Sequence, residues 1–421
     1  MWANIGLLLS TLIICLALVE GGLRIFQPYA LTAKFLLPPS IEKEFSTREF
    51  STREFSTRVT TGSLGFRSHQ EPPGEPGQRY RIVAVGDSFV FGWGVDDDKT
   101  VPARLQKRLN AGSKTPIEVI NAGRPGDGLG NYVGSLHRHV LRLKPDVVVL
   151  GFLPGNDCPV EGPTIYRKPE QVAERIGQLI EQAEGPQKKV RSYVSRLLTT
   201  RVLEPVRRWA RPTFKIGEAA IGIVSDPITG AGNPLNPKSL DTRLTGNTVF
   251  KARYDRLAAD GWVDQGRKWE ISPWLVHHAV FAPEHTAQAL FLEPKTRPAM
   301  ESQWAICAGL IRHMAAKVRA AGSDFYLLVF PLSYQADEAV LAIRERLGIT
   351  VPQTALTTTI VNDRVRQLCE TENLKCVDTL EATRRAVNSG RQMFFPVDGH
   401  LTEHGTDLVA AAAAQRIRED L

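Results

Sequence analysis

The sequence predicts an α/β fold: a doubly wound parallel sheet of five strands, interrupted by a largely helical insertion. Two observations carry this. Five short runs of apolar, mostly β-branched residues each end in turn residues, and helical patterns lie between them. The runs are 81–85 (RIVAV), 117–122 (IEVINA), 146–152 (DVVVLGF), 324–330 (DFYLLVF) and 375–378 (KCVD). Near-continuous apolarity, rather than alternation, marks strands covered on both faces. Strands alternating with helices make a parallel sheet.

The helical segments have their own signals. Segment 100–109 offers Asp98 or Thr100 as a cap, Pro102 in the first turn, and Val101, Leu105 and Leu109 at helical spacing. Segments 131–143 and 352–369 read the same way, and 406–418 closes the chain. The insertion at 158–300 is the least informative stretch. Within it Val190, Tyr193, Val194, Leu197, Leu198 and Val202 form an apolar stripe at helical spacing, with Arg191, Arg196 and Arg201 off it. Such a helix packs on its own domain, lies on anionic lipid, or guides an acidic glycan.

The N-terminal part divides into two segments. Residues 3–19 are seventeen positions without a charge, at the short end of what spans a bilayer as a helix. No Lys or Arg precedes them, and the following Glu20-Gly21-Gly22-Leu23-Arg24 lacks a small-x-small cleavage site, so residues 1–24 read as an uncleaved membrane anchor. The rest is expected outside the cytoplasm, although Arg24 and Lys34 weigh mildly toward the opposite orientation. Residues 25–78 read as a stalk. They contain EFSTR three times in tandem, at 44–48, 49–53 and 54–58. A five-residue period matches neither the helical nor the strand period and is too short for a solenoid, so an extended linker is expected. The Pro- and Gly-rich stretch 72–77 precedes the folded domain, 79–421.

At 421 residues, 43% hydrophobic and 23% charged, the chain buries a large core. Its net charge of +7 is local: residues 166–215 hold twelve Lys/Arg against five Glu. That is not the basic stripe of a nucleic-acid binder, and no nucleic-acid partner is expected. The five cysteines form no Cys-x-x-Cys pair, so neither a zinc site nor a thioredoxin-type pair is indicated. Cys369 and Cys376 bridge in an oxidising compartment or stay reduced otherwise.

In an open parallel sheet, ligands bind beyond the carboxyl ends of the strands. Candidate residues stand there. After the first strand comes Gly86-Asp87-Ser88-Phe89, a serine on a tight turn with an exposed hydroxyl and a free amide. After the second comes Asn121 to Gly128, a loop whose Gly126 lets backbone approach a ligand. After the third comes Gly155-Asn156-Asp157, with an amide suited to an oxyanion. Asp157 reads as a turn or cap residue. Beyond the fifth lies Asp398-Gly399-His400, where an extended stretch puts carboxylate and imidazole on one side.

This ordered set resembles the SGNH, or GDSL-type, hydrolase superfamily, over about 80–157 and 322–421 and the lead-in Leu64-Gly65-Phe66-Arg67. The resemblance implies a flavodoxin-like three-layer fold with Ser88 as nucleophile, His400 as general base and Asp398 orienting it. The oxyanion hole would be the Ser88 and Gly126 amides and the Asn156 side chain. No cofactor or metal is implied. Pro154 departs from the family's Gly-x-Asn-Asp, and Asp-x-His from its Asp-x-x-His. The shorter spacing is similar to the branch linked to O-acetylation of exported polysaccharides. The expected activity is an esterase or deacetylase on an acylated carbohydrate or cell-envelope ester. The alternatives are an O-acyltransferase and a catalytically idle glycan-binding component. His400-Leu401-Thr402-Glu403-His404 also matches an inverted zincin motif, but flanking glycines disfavour the helix it needs.

Overall fold

A computed structural model describes residues 42–49, 52–62, 65–67, 79–158, 168–185, 235, 240, 244–268, 270–281, 297–352 and 354–421, with positions 11, 15 and 18. Residues 3–19, as a span, and the stripe from Val190 to Val202 lie outside them. Among the described residues, no helix is long and apolar enough to cross a membrane.

The five expected strands form one parallel sheet: β3 (Tyr80–Gly86), β4 (Ile117–Gly123), β5 (Val147–Phe152), β6 (Asp324–Val329) and β7 (Lys375–Asp378). They follow a separate hairpin of β1 (Glu42–Glu49) and β2 (Thr52–Thr60). The sheet order is β4-β3-β5-β6-β7, the flavodoxin-like arrangement with the first strand between the second and third.

Side chains alternate between two buried layers. Ile82 and Ala84, Val147 and Val149, Tyr326 and Leu328 face one core. Val83 and Val85, Val148 and Leu150, Leu327 and Val329 face the other. Both faces are apolar because helices cover both, which is why the runs were continuous. The first layer contains α2 (Val101–Asn110) and α13 (Glu403–Arg418). Thr100 caps α2 by accepting the Ala103 N–H, and Thr402 caps α13 by accepting the Gly405 N–H. The second layer contains α3 (Leu129–Ser135), α8 (Arg297–Ala320) and α11 (Ile360–Thr371).

Two expectations shift here. The helix expected over 352–369 is α11, which starts only at Ile360. Thr357, Thr358 and Thr359 precede it, and β-branched threonine is a poor helix former that favours turns and caps. The insertion's described parts are helical: α4 (Pro169–Glu184), α5 (Thr248–Ala259), α6 (Trp262–Arg267) and α7 (Pro273–Phe281). A disulfide joins Cys158, just after β5, to Cys307 in α8. A second joins Cys369 to Cys376, so the bridged alternative is the one found.

The tandem repeat is not an extended linker. Its first and third copies pair antiparallel, Glu44 opposite Arg58, Phe45 opposite Thr57, Ser46 opposite Ser56 and Thr47 opposite Phe55. Read backwards, EFSTR sets Glu against Arg and Phe against Thr, so the pentamer complements its own antiparallel copy. The middle copy, 49–53, holds the end of β1 and the start of β2. Within the third copy the strand period is present after all, since Phe55, Thr57 and Val59 are buried while Arg58 is exposed. The hairpin packs against the loop after β3: the Thr60 N–H and hydroxyl donate to Asp97, and the Arg58 N–H donates to Asp96.

Candidate active site

The strand order brings three loops together. Because β3 lies between β4 and β5, the turn bearing Ser88 sits between the loop bearing Gly126 and the loop bearing Asn156. Ser88 opens the short helix α1 (Ser88–Phe91), whose cap is Asp87: its carboxylate accepts the Phe89 N–H at 2.8 Å. That leaves the Ser88 amide at the helix N-terminus, where it makes no hydrogen bond among the described residues. Gly126 is exposed with φ of +79°, a conformation that favours glycine, and a side chain there would meet nothing within 4 Å.

Asn156 is exposed as well, and its amide is already oriented. It donates to Asp87 at 2.9 Å and to Asp157 at 3.3 Å. Asp157, buried, also accepts the Leu153 N–H at 2.7 Å, as expected of a turn residue. Three carboxyls cluster beneath the site. Burial, opposed by hydrogen bonds from Phe89 and Asn156, pushes Asp87 up to about 6. Burial likewise raises Asp127 to about 6, and Arg124 only partly counters it. Asp157 is raised well above the carboxylate range by burial and by the neighbouring Asp87.

His400 comes from the stretch just before α13. Its Nε2 lies 2.7 Å from Ser88 Oγ, and its Nδ1 is hydrogen-bonded to Asp398 Oδ1. The Asp398 side chain is only 6% exposed. Burial alone would lower the imidazole pKa, but Asp398 and then Asp87 outweigh it and raise it above 6.5. Asp398 moves the opposite way: burial pushes it up, and His400 pulls it below the usual value. Phe89 at 5.0 Å and Trp93 at 6.2 Å wall the imidazole.

The local backbone differs from expectation. Residues 396–398 form a turn, so Asp398-Gly399-His400 is not an extended stretch. The Gly399 N–H donates to Phe395 O, the Phe395 N–H donates to His400 O, and Phe394 bridges Leu401. Gly399 has φ of +87° and lies against Arg344, where a side chain would come within 2.7 Å of the guanidinium. The turn lets Asp398 accept both the backbone N–H and the ring nitrogen of His400. His404, by contrast, is exposed in the first turn of α13, and His400 precedes that helix. The two histidines are therefore not on one helix, as the inverted zincin arrangement requires.

Several residues around the site carry weight that motif reading did not assign. Buried Arg67 donates to Asp97 at 2.8 Å and to the carbonyls of Phe91 and Val95, fixing the loop after α1. Its only sequence signal was its place in the lead-in. Arg344 donates to the Val397 carbonyl at 2.7 Å, and Glu54 accepts from the same turn. Neither is near a motif in sequence.

A serine hydroxyl bonded to an imidazole that is itself held by a buried carboxylate is suited to forming an oxygen nucleophile. Residues 84–261 match the profile of the GDSL-like Lipase/Acylhydrolase family. No curated protein sequence matches the chain. Similar solved structures include the lipase/acylhydrolase from Enterococcus faecalis, 15% identical, covering 81% of this chain and 96% of that one, TM-score 0.37. They also include a catalytic mutant of an acetylxylan esterase from Geobacillus stearothermophilus, 12% identical, covering 80% and 94%, TM-score 0.35. A third is an alpha/beta hydrolase enzyme from the metagenome of Lake Arreo, Spain, 12% identical, covering 82% and 97%, TM-score 0.34.

Proposed function

We propose that the chain is a serine-dependent acyl-ester hydrolase of a carbohydrate or cell-envelope ester. The hydrogen-bonded line from Ser88 through His400 to Asp398 carries this reading. Ser88 Oγ attacks the ester carbonyl as its proton passes to His400 Nε2. The carbonyl oxygen becomes an oxyanion within reach of the Ser88 and Gly126 amides and the Asn156 side chain. His400 returns the proton to the departing alcohol, leaving an acyl-serine. Water, deprotonated by His400, then attacks the acyl carbon and releases the acid and free Ser88.

The Asp398-x-His400 spacing supports a second reading, in which a sugar hydroxyl replaces water and the product is a new ester. Two measurements separate the readings. Purified protein is expected to cleave p-nitrophenyl acetate and to be labelled at Ser88 by a serine-directed phosphonate. Neither reaction occurring would leave the idle glycan-binding reading. Transfer of acetyl to added oligosaccharide faster than to water would make it a transferase.

The uncharged apolar run 3–19, read as an anchor, and the two disulfides support a site outside the cytoplasm. Protease added to intact spheroplasts then digests the domain; protection would place it inside.

A further inference from the structure

We propose that Glu54, contributed by the third copy of the tandem repeat, is a positioning residue that holds the Asp398–His400 turn in register with Ser88. The proposal rests on the serine-hydrolase reading above. Glu54 Oε1 accepts the Val397 N–H at 2.9 Å and Oε2 accepts the Asp398 N–H at 3.2 Å. One carboxylate thus grips two consecutive amides, the second belonging to the residue that orients the imidazole. Charge-assisted bonds of this kind are roughly twice as strong as neutral ones.

Arg344 holds the same two residues by their other ends. It donates to the Val397 carbonyl at 2.7 Å and to the Asp398 carbonyl at 3.4 Å. N–H groups bound by a carboxylate and C=O groups bound by a guanidinium fix the turn between two opposite charges.

The residue after Glu54 reinforces the grip. Phe55 packs at a tilt against Phe395, at the start of the turn, with centroids 4.9 Å apart, and meets Trp93 edge-on at 6.3 Å. Trp93 is one of the two rings that wall His400. Gly94 lies beneath this pair, where a side chain would come within 2.7 Å of Phe395 and 3.2 Å of Phe55. The hairpin is therefore seated on the half of the site that carries the base, and the repeat belongs to the catalytic machinery's support.

The test uses the full chain with Glu54→Ala, Glu54→Gln, Glu44→Gln in the paired copy, and Ser88→Ala. Misplacing a reacting group by about 1 Å can cost on the order of 100-fold. Glu54→Ala is therefore expected to lower kcat on p-nitrophenyl acetate roughly 10- to 100-fold with KM unchanged. Glu54→Gln, which keeps one acceptor oxygen, loses less, and Glu44→Gln matches the unaltered protein.

The acid limb of the pH profile moves to lower pH in Glu54→Ala. Asp398 then supports the imidazolium less well, while Asp87 and Arg344, the other charges facing it, stay in place. Unaltered kcat in a folded Glu54→Ala protein would overturn the proposal. So would an equal loss in Glu44→Gln, which would reduce the effect to hairpin stability. Should Glu54→Ala fail to fold, Glu54→Gln decides alone. Activity surviving Ser88→Ala would instead remove the serine-hydrolase reading itself. Loss at Ser88 with normal turnover at Glu54 would remove only the positioning role.

Discussion

The two turns that meet at 2.7 Å in the site are held in opposite ways. The Ser88 turn is built locally: a strand ends, Asp87 caps the next helix two residues on, and the hydroxyl is presented. The Asp398–His400 turn has local bonds, from the Gly399 N–H to Phe395 O and from the Phe395 N–H to His400 O, and distant ones besides. It is gripped by Glu54 from a hairpin some 340 residues earlier, by Arg344, and by the bridge from Phe394 to Leu401. A nucleophile on a short turn after a strand has few partners, whereas the base, on the stretch just before α13, is located by several. Substitutions distant in sequence should therefore harm the base more than the nucleophile.

The largest effects test the line itself. Ser88→Ala and His400→Ala are each expected to lower kcat by roughly 10⁴-fold or more with the fold intact, because members of such a set act as a unit. Asp398→Asn should come close to that, since the amide favours the wrong imidazole tautomer. Steady-state kinetics with circular dichroism would show this, and a tenfold loss in any of the three would break the unit. Asn156→Ala comes next, at roughly 10²–10³-fold in kcat with a smaller change in KM. A change confined to KM would make Asn156 a substrate-binding group.

A third expectation separates the turns by pH. His400 must be neutral to take the Ser88 proton, and its pKa is raised by Asp398 and Asp87 against the lowering effect of burial. Activity should therefore fall as pH drops through a midpoint above 6.5, the unperturbed value. Asp398→Asn should move that midpoint down. A wild-type midpoint below 6.5 in kcat/KM would contradict the geometry. The smallest effect is expected at His404→Ala, with activity within about twofold of the unaltered protein, since this exposed residue lies in α13, which His400 precedes. Equal loss at His404 and His400, together with sensitivity to chelators, would revive the metal reading.

The same contrast explains what was legible in the sequence. All five sheet strands were read within about two residues of their ends, because burial on both faces writes itself as a continuous apolar run. The placement of Ser88, Gly126 and Asn156 beyond strand ends was legible because each follows such a run. The residues that secure His400 were not. Glu54 and Arg344 act through backbone amides and carbonyls, which leave no mark at the positions they hold. The hairpin escaped because five is odd: successive copies fall on opposite faces of a strand, and only self-pairing across the middle copy restores the pattern. The stretch at Gly399 departs from the extended expectation because glycine adopts its φ of +87° freely, which leaves no other mark in the sequence.

The bond between Cys158 and Cys307 has a consequence for any protease that reaches this molecule. It spans 149 positions and fastens the excursion two residues beyond Asn156 to the helix that feeds β6. A peptide bond cut anywhere between the two cysteines leaves fragments that remain covalently joined beside the strand ends. Nicked protein would run as one species on a non-reducing gel and as two after reduction, with Ser88 and His400 on different pieces.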